Sequence, residues 1–155
     1  MQLTQKERSL LKDQLSHEEI CIQKYNKYAN QVQDPQLKQM LQQFASQEQQ
    51  HHDTINQILQ GQQPNLGGGQ QQQQPQQKPQ FPNLIQNNQA NQQDAFMLRD
   101  LLMTEKYISG TYNTTIFETV NPTLRQALQH IQKEEQQHGE GLFNYMQQHG
   151  LYNPQ

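Results

Sequence analysis

The sequence predicts an all-α protein, a four-helix bundle made of two repeated antiparallel hairpins joined by a long crossover. The first observation is a gapless repeat: residues 11–51 recur at 98–138 with a constant offset of 87. The second is an apolar spacing of alternating three and four residues, which is typical of helices packed in bundles. The third is a segment rich in Gln, Pro and Gly between the two copies, which is typical of a linker.

Composition limits the classes of function. The 155 residues are predicted to form one domain, although apolar content is only 31% and mean hydropathy is −1.13. Acidic and basic residues are mixed and the net charge is −3, which argues against nucleic-acid binding. Cys21 is the single cysteine, so an intrachain disulfide is excluded. Neither a signal peptide nor an apolar run of about 20 residues is found, so we expect synthesis in the cytosol and no membrane span.

The first hairpin is predicted over residues 4–60. Thr4 followed by Glu7 forms a capping-box pattern that starts the first helix, and the apolar spacing ends near Gln33. Asp34-Pro35 starts the second helix, because Asp is a favourable N-cap and Pro is tolerated at the first helical position.

Residues 61–93 are predicted to be an unstructured linker of 33 residues. The topology explains the length of this linker. If the two hairpins pair with two-fold symmetry, the connection from the second helix to the third must run the whole length of the bundle. That length is about 40 Å for a 27-residue helix, which the linker can span.

The second hairpin is predicted over residues 94–149. Asp94 is the expected N-cap of the third helix, whose Thr and Gly residues make it the weakest helix by propensity. Asn121-Pro122 repeats the start signal of the second helix. Gly61 and Gly150 are the expected C′ residues of the second and fourth helices. Gly139 and Gly141 are expected to weaken the fourth helix unless they admit a close neighbour.

Polar residues interrupt the apolar spacing at one depth in every helix. Glu18 lies 16 residues before Asp34 and Glu48 lies 14 after it, and the second copy repeats these distances. In antiparallel hairpins this places the glutamates level with one another, about 22 Å from the turns. The six residues are Glu18, Glu48, His51, Glu105, Glu135 and His138.

These six residues predict a site for two metal ions. A buried unpaired carboxylate is costly and must be protonated, paired or bound to a cation. One glutamate from each of two helices, with Glu-x-x-His from each of the other two, is the ligand set of di-iron and di-manganese bundles. Carboxylate oxygens with one imidazole per metal suit two Fe or Mn ions, with Zn as a further candidate. The alternative is a polar layer inherited from a metal-binding ancestor and now empty.

Other polar residues near the site have predicted roles too. Tyr25 and Tyr112 are expected to donate hydrogen bonds to ligand carboxylates. Glu19 and Glu134 lie one residue off the apolar spacing and are expected to be solvated. Cys21 is expected to be a small core residue. The remaining histidines are expected to be exposed or to pack structurally: His17, His52, His130 and His149.

Glu-x6-Tyr followed by Glu-x-x-His, present twice, resembles the ferritin-like superfamily of rubrerythrins and bacterioferritins. The resemblance implies the six residues above as metal ligands. Ile108 stands where rubrerythrins carry an extra carboxylate, so the ligand set is closer to that of bacterioferritins. No rubredoxin-type cysteine cluster accompanies it, which argues against the rubrerythrin route of peroxide reduction.

The chain is also similar to the coat F family of bacterial spore coat proteins. The similarity lies in the two helix starts, residues 34–37 and 121–125, and in the ending Tyr-Met-x-x-His-Gly-x-Tyr at residues 145–152. It implies a location in the spore coat and other spore coat proteins as partners, and we expect a homo-oligomer.

Two functions follow as hypotheses. One is a spore coat protein with a di-metal carboxylate site. The alternative is a di-iron or di-manganese oxidase, or a peroxide-detoxifying enzyme of catalase or ferroxidase type, which uses O₂ or peroxide. Iron storage is a weaker hypothesis, because nothing in the sequence indicates a closed shell. No residue is assigned a catalytic role.

Overall fold

A computed structural model of the protein describes residues 2–64 and 92–154. These residues form four α-helices and no strand: α1 (Gln5–Ala29), α2 (Pro35–Leu59), α3 (Gln92–Glu118) and α4 (Pro122–Gln148). The prediction of an all-α four-helix bundle is confirmed. The predicted linker falls mostly on residues 65–91, outside the described residues.

Every pair of neighbouring helices is antiparallel. Short turns connect α1 to α2 and α3 to α4, while α1 also packs against α3 and α2 against α4. The direction of α1 and α3 follows from two contacts, Lys24–Asp100 and Gln14–Thr115, each at 3.0 Å. The end of α2 and the start of α3 therefore lie at opposite ends of the bundle.

Local capping sets most of the helix ends. In α1 the Thr4 amide donates to Glu7 Oε2 at 2.8 Å and the Glu7 amide donates to Thr4 Oγ1 at 3.1 Å, which is the predicted capping box. Asp34 and Asn121 cap α2 and α4, with Pro at the first helical position. Gly61 (φ 84°) and Gly150 (φ 69°) adopt the left-handed conformation expected of C′ residues.

Two predicted boundaries differ from the structure. The first helix ends at Ala29 rather than near Gln33, because a tight turn (Gln31 N to Tyr28 O, 2.9 Å) redirects the chain toward the cap at Asp34. The third helix begins at Gln92, so Asp94 lies inside its first turn, buried, instead of capping it. Neither shift changes which residues face the core.

Contacts with α1 support the weak helix α3. Gln14, which is buried, donates to Thr115 Oγ1 at 3.0 Å and accepts from Thr111 Oγ1 at 3.0 Å. At the end of the bundle, Glu7 accepts from the amides of Val120 at 2.9 Å and Asn121 at 3.2 Å. Burial raises the pKa of Glu7, but these amide donors outweigh it and hold the pKa below its usual value. Tertiary contacts thus hold α3, as its poor helix propensity requires.

The core consists of apolar layers on either side of a polar layer. Leu11, Leu41, Leu98 and Leu128 are fully buried, one on each helix. Within residues 2–64 and 92–154, no helix has the length and apolar character that crossing a bilayer needs.

The two interior glycines of α4 differ in their surroundings. A Cβ on Gly141 would lie 2.8 Å from Phe44 Cζ, whereas a Cβ on Gly139 would meet nothing closer than 3.9 Å. The Phe44 ring cannot move aside easily, since it packs on His138 at a centroid distance of 4.4 Å. Gly141 is therefore the glycine that admits a close neighbour.

We predict that Gly141→Ala lowers the free energy of unfolding by about 1–3 kcal/mol, because the core is overpacked. The matched control Gly139→Ala should raise it by about 0.5–1 kcal/mol, the usual gain in helix propensity. Urea unfolding of both variants measures the difference. Equal stability of the two would contradict the tight contact with Phe44.

Candidate metal centre

The structure brings all six predicted ligands together in the middle of the bundle. All are buried, and they are called the six-residue centre below: Glu18, Glu48, His51, Glu105, Glu135 and His138. They form two overlapping groups, one around His51 with Glu18 and one around His138 with Glu105. In each group one donor atom per residue lies within 4.8 Å of all the others. Glu48 and Glu135 belong to both groups.

The two shared carboxylates each face both histidines. Glu48 Oε2 lies 3.2 Å from His51 Nδ1, and its Oε1 lies 3.1 Å from His138 Nδ1. Glu135 Oε1 lies 3.2 Å from His51 Nδ1, and its Oε2 lies 3.4 Å from His138 Nδ1. Each shared glutamate thus directs one oxygen to each half of the centre.

The outer nitrogen of each histidine has a hydrogen-bond acceptor. His51 Nε2 lies 2.7 Å from Glu134 Oε2, and His138 Nε2 lies 2.9 Å from Gln47 Oε1. These acceptors place the imidazole proton on Nε2. With Nε2 protonated, Nδ1 faces the carboxylate oxygens, and a positive charge is needed there, either a cation or a second proton on the ring.

Two tyrosines hold the outer glutamates from across the bundle. Tyr25 on α1 donates to Glu105 Oε1 on α3, and Tyr112 on α3 donates to Glu18 Oε1 on α1. Burial, reinforced by the nearby carboxylates, raises the pKa of both tyrosines well above the usual value, so both stay protonated as donors.

Several buried carboxylate oxygens lack a hydrogen-bond partner among the described residues. Four of them lie in the six-residue centre, namely Glu18 Oε2, Glu105 Oε2 and both oxygens of Glu135, and the fifth is Asp94 Oδ1 near the start of α3. Orphaned buried oxygens are unusual in native proteins and are suitable positions for an ion or a water molecule. The four oxygens of the centre belong to the two groups of donor residues around His51 and His138. Carboxylates and imidazoles suit Fe and Mn, and two divalent ions would neutralise the four carboxylates. The residues of the centre therefore fit a pair of such ions.

The pKa directions of the buried groups also indicate that the centre favours added positive charge. Burial lowers the pKa of His51 and of His138, but the surrounding carboxylates outweigh it and hold both pKa values well above the usual range. Burial raises the pKa of Glu105 well above its usual value, against the lowering effect of His138. Without metal, protons must supply positive charge that cations can supply instead.

Apolar and aromatic groups enclose the centre. The Phe44 ring covers His138 and meets Tyr25 edge-on at a centroid distance of 5.7 Å. Cys21 is fully buried one turn after Glu18, and burial raises its pKa well above the usual value. Cys21 is therefore a core residue, as predicted, and not a reactive thiolate.

Sequence reasoning missed the outer partners of the histidines. The prediction that Glu134 is solvated was wrong, since its side chain is only 26% exposed and contacts His51. Glu19 is 57% exposed, as expected. Gln47 and Glu134 occupy equivalent positions in the repeat. Whether those positions face the opposing helix depends on how α2 and α4 pair, which the repeat does not specify.

A family model for the Coat F domain matches residues 6–62 and 93–155. The chain belongs to the Coat F family. The two matched segments contain every residue of the six-residue centre and all four helices apart from the first residue of α1 and of α3. The family identifies the chain as a spore coat protein. No curated protein and no solved structure matches it.

In this Coat F protein, Glu135→Gln is predicted to stabilise the metal-free form by about 1 kcal/mol, because it removes one of several buried like charges. Urea unfolding in the presence of a chelator measures the change. The control Glu19→Gln, at an exposed carboxylate, should alter stability by less than about 0.5 kcal/mol. A clear loss of stability in Glu135→Gln would show that charge repulsion does not dominate the centre.

Proposed function

We propose that this Coat F protein is a metal-binding component of the spore coat that holds two Fe or Mn ions, with Zn as a further candidate. The observation that carries the proposal is the orientation of Glu48 and Glu135, each with one oxygen toward each histidine. The centre therefore offers one group of donor atoms around each histidine, and the two groups share Glu48 and Glu135, as a pair of neighbouring cations would require.

Each cation would have four protein ligands. The His51 position would use Glu18 and His51 together with the two shared glutamates. The His138 position would use Glu105 and His138 with the same shared pair. Tyr25 and Tyr112 would fix the outer carboxylates, and Glu134 and Gln47 would fix the imidazole rings.

A ligand pattern of this kind on four helices supports the ferritin-like relationship suggested by the sequence. It also supports a second candidate function, an oxidase or peroxide-detoxifying enzyme. Fe and Mn commonly take six ligands, so four protein ligands leave positions for O₂ or peroxide. Bound Fe or Mn would supply the redox chemistry. The chain would supply the anionic ligands, orient them and exclude bulk water.

We predict that protein purified after growth with Fe and Mn contains about two metal ions per chain. The His51→Ala/His138→Ala double variant and the Glu135→Gln variant should lose most of this metal, because each removes ligands of the centre. His52→Ala is the matched control, since His52 contacts Glu19 and Asp53 and lies outside the centre. Elemental analysis gives the stoichiometry.

The Glu135→Gln variant matters if the double variant does not fold, because Glu135→Gln is expected to fold at least as well as the wild type. Wild-type protein that stays metal-free after growth in both metals, and that takes up neither on titration, would refute the metal centre.

Exposed apolar side chains on α3 support assembly with other spore coat proteins, including copies of the chain itself. Phe96, Met103, Tyr107 and Phe117 are all more than half exposed. Phe96, Met103 and Phe117 recur at multiples of seven residues and therefore form a stripe along one side of the helix. An exposed apolar stripe of this kind is typical of interaction surfaces.

We predict that Phe96→Ser/Phe117→Ser folds normally but is incorporated into the coat less efficiently, because the stripe loses its largest apolar groups. Quantitative immunoblotting of coat extracts against total spore-forming cells measures incorporation. Ile20→Ser, at an exposed apolar residue of α1, is the control. Unchanged incorporation of the double variant would exclude the stripe. A wild-type protein absent from the coat fraction would exclude the coat function.

A further inference from the structure

The two halves of the six-residue centre are related by the repeat but differ outside the histidines. The outer acceptor of His51 is the carboxylate of Glu134, whereas the outer acceptor of His138 is the amide of Gln47. Positions 47 and 134 are equivalent in the repeat, so the symmetry of the centre is broken at a charged residue.

We propose that the two metal positions are inequivalent, and that the His51 position binds its cation more tightly and fills first. This inference rests on the metal centre proposed above and adds an order of loading that the six ligands alone do not give.

The first argument is the basicity of the ligand. A carboxylate that accepts the Nε2 proton makes Nδ1 a stronger electron-pair donor to a cation than a neutral amide does. Outer partners of this kind typically change metal affinity by 10–100-fold. Glu134 also adds a negative charge on the far side of the His51 ring, at a hydrogen-bond distance of 2.7 Å.

The second argument is access. Exposed side-chain fraction falls from 51% at His130 to 26% at Glu134 and 3% at His51. His130 Nε2 lies 3.6 Å from Glu134 Oε1, so these side chains form a continuous polar line from the surface to the His51 position. In the other half, the outer residue is the partly exposed Gln47, which is neutral, and the buried Phe44 ring packs on His138. A hydrated cation therefore meets anionic and imidazole groups on the His51 side, but a neutral amide and an aromatic ring on the His138 side.

The test is titration of the chelator-treated full chain with Mn²⁺, followed by calorimetry and electron paramagnetic resonance. The single-histidine variants separate the positions, because each is left with one complete half. We expect His138→Ala, which keeps the His51 position, to bind one Mn²⁺ about 10-fold more tightly than His51→Ala does. Equal affinities would overturn the inequivalence while leaving the metal centre intact.

Substitutions that exchange the outer acceptors test whether Glu134 and Gln47 cause the difference in affinity between the two positions. In the His138→Ala background, Glu134→Gln should weaken Mn²⁺ binding about 10-fold. In the His51→Ala background, Gln47→Glu should strengthen it by a similar factor. Glu19→Gln, at an exposed carboxylate, should change neither affinity. If the exchanges have no effect, the outer acceptors do not set the order.

Wild-type protein gives the remaining readout. At one equivalent of Mn²⁺ we expect the signal of an isolated ion, and at two equivalents its replacement by the signal of a coupled pair. A coupled pair from the first additions onward would contradict sequential filling. If the wild type binds no Mn²⁺, the metal centre itself is refuted and this inference with it, an outcome distinct from equal binding at two positions.

Discussion

The structure depends on the burial of four carboxylates at one level of a small bundle. Like charges repel strongly where water is absent, and an apolar surrounding makes each isolated charge costly. The chain compensates with two imidazoles and two tyrosine hydroxyls, and several carboxylate oxygens keep no hydrogen-bond partner among the described residues. Because these groups come from all four helices, they compensate one another only when every helix has the correct depth and rotation. The proposed binding of cations would therefore stabilise the folded bundle.

The internal repeat provides that common depth. Each copy turns at Asp-Pro or Asn-Pro and places its glutamates at the same distance from the turn. Pairing two such hairpins brings two shared and two outer glutamates together without further adjustment. Polar contacts add to the shared apolar core in joining the hairpins: the cross-bundle tyrosines, Gln14 with its threonines, and Glu7 at the turn between α3 and α4. A chain with few apolar residues thus gains a defined register from hydrogen bonds.

Membership of the Coat F family implies that the protein belongs to the spore coat, and the six-residue centre is the basis of the proposed metal binding. The bundle divides these two roles between its interior and its outside. The centre lies inside, enclosed by aromatic and aliphatic groups. The exposed apolar residues lie on the outer side of α3, away from the ligands. The proposed metal binding and the proposed assembly therefore involve different residues, so mutations can test each one separately.

The sequence by itself determined what depends on local chemistry. Caps and prolines set the starts of α2 and α4, and the spacing of apolar residues identified the core faces and the six polar residues at one depth. Tertiary structure decided what depends on the rotation of one helix against another. It turned Glu134 from a predicted surface residue into the partner of His51, and it directed each tyrosine to the glutamate of the opposite hairpin. These contacts join residues more than 75 positions apart, so no local pattern specifies them.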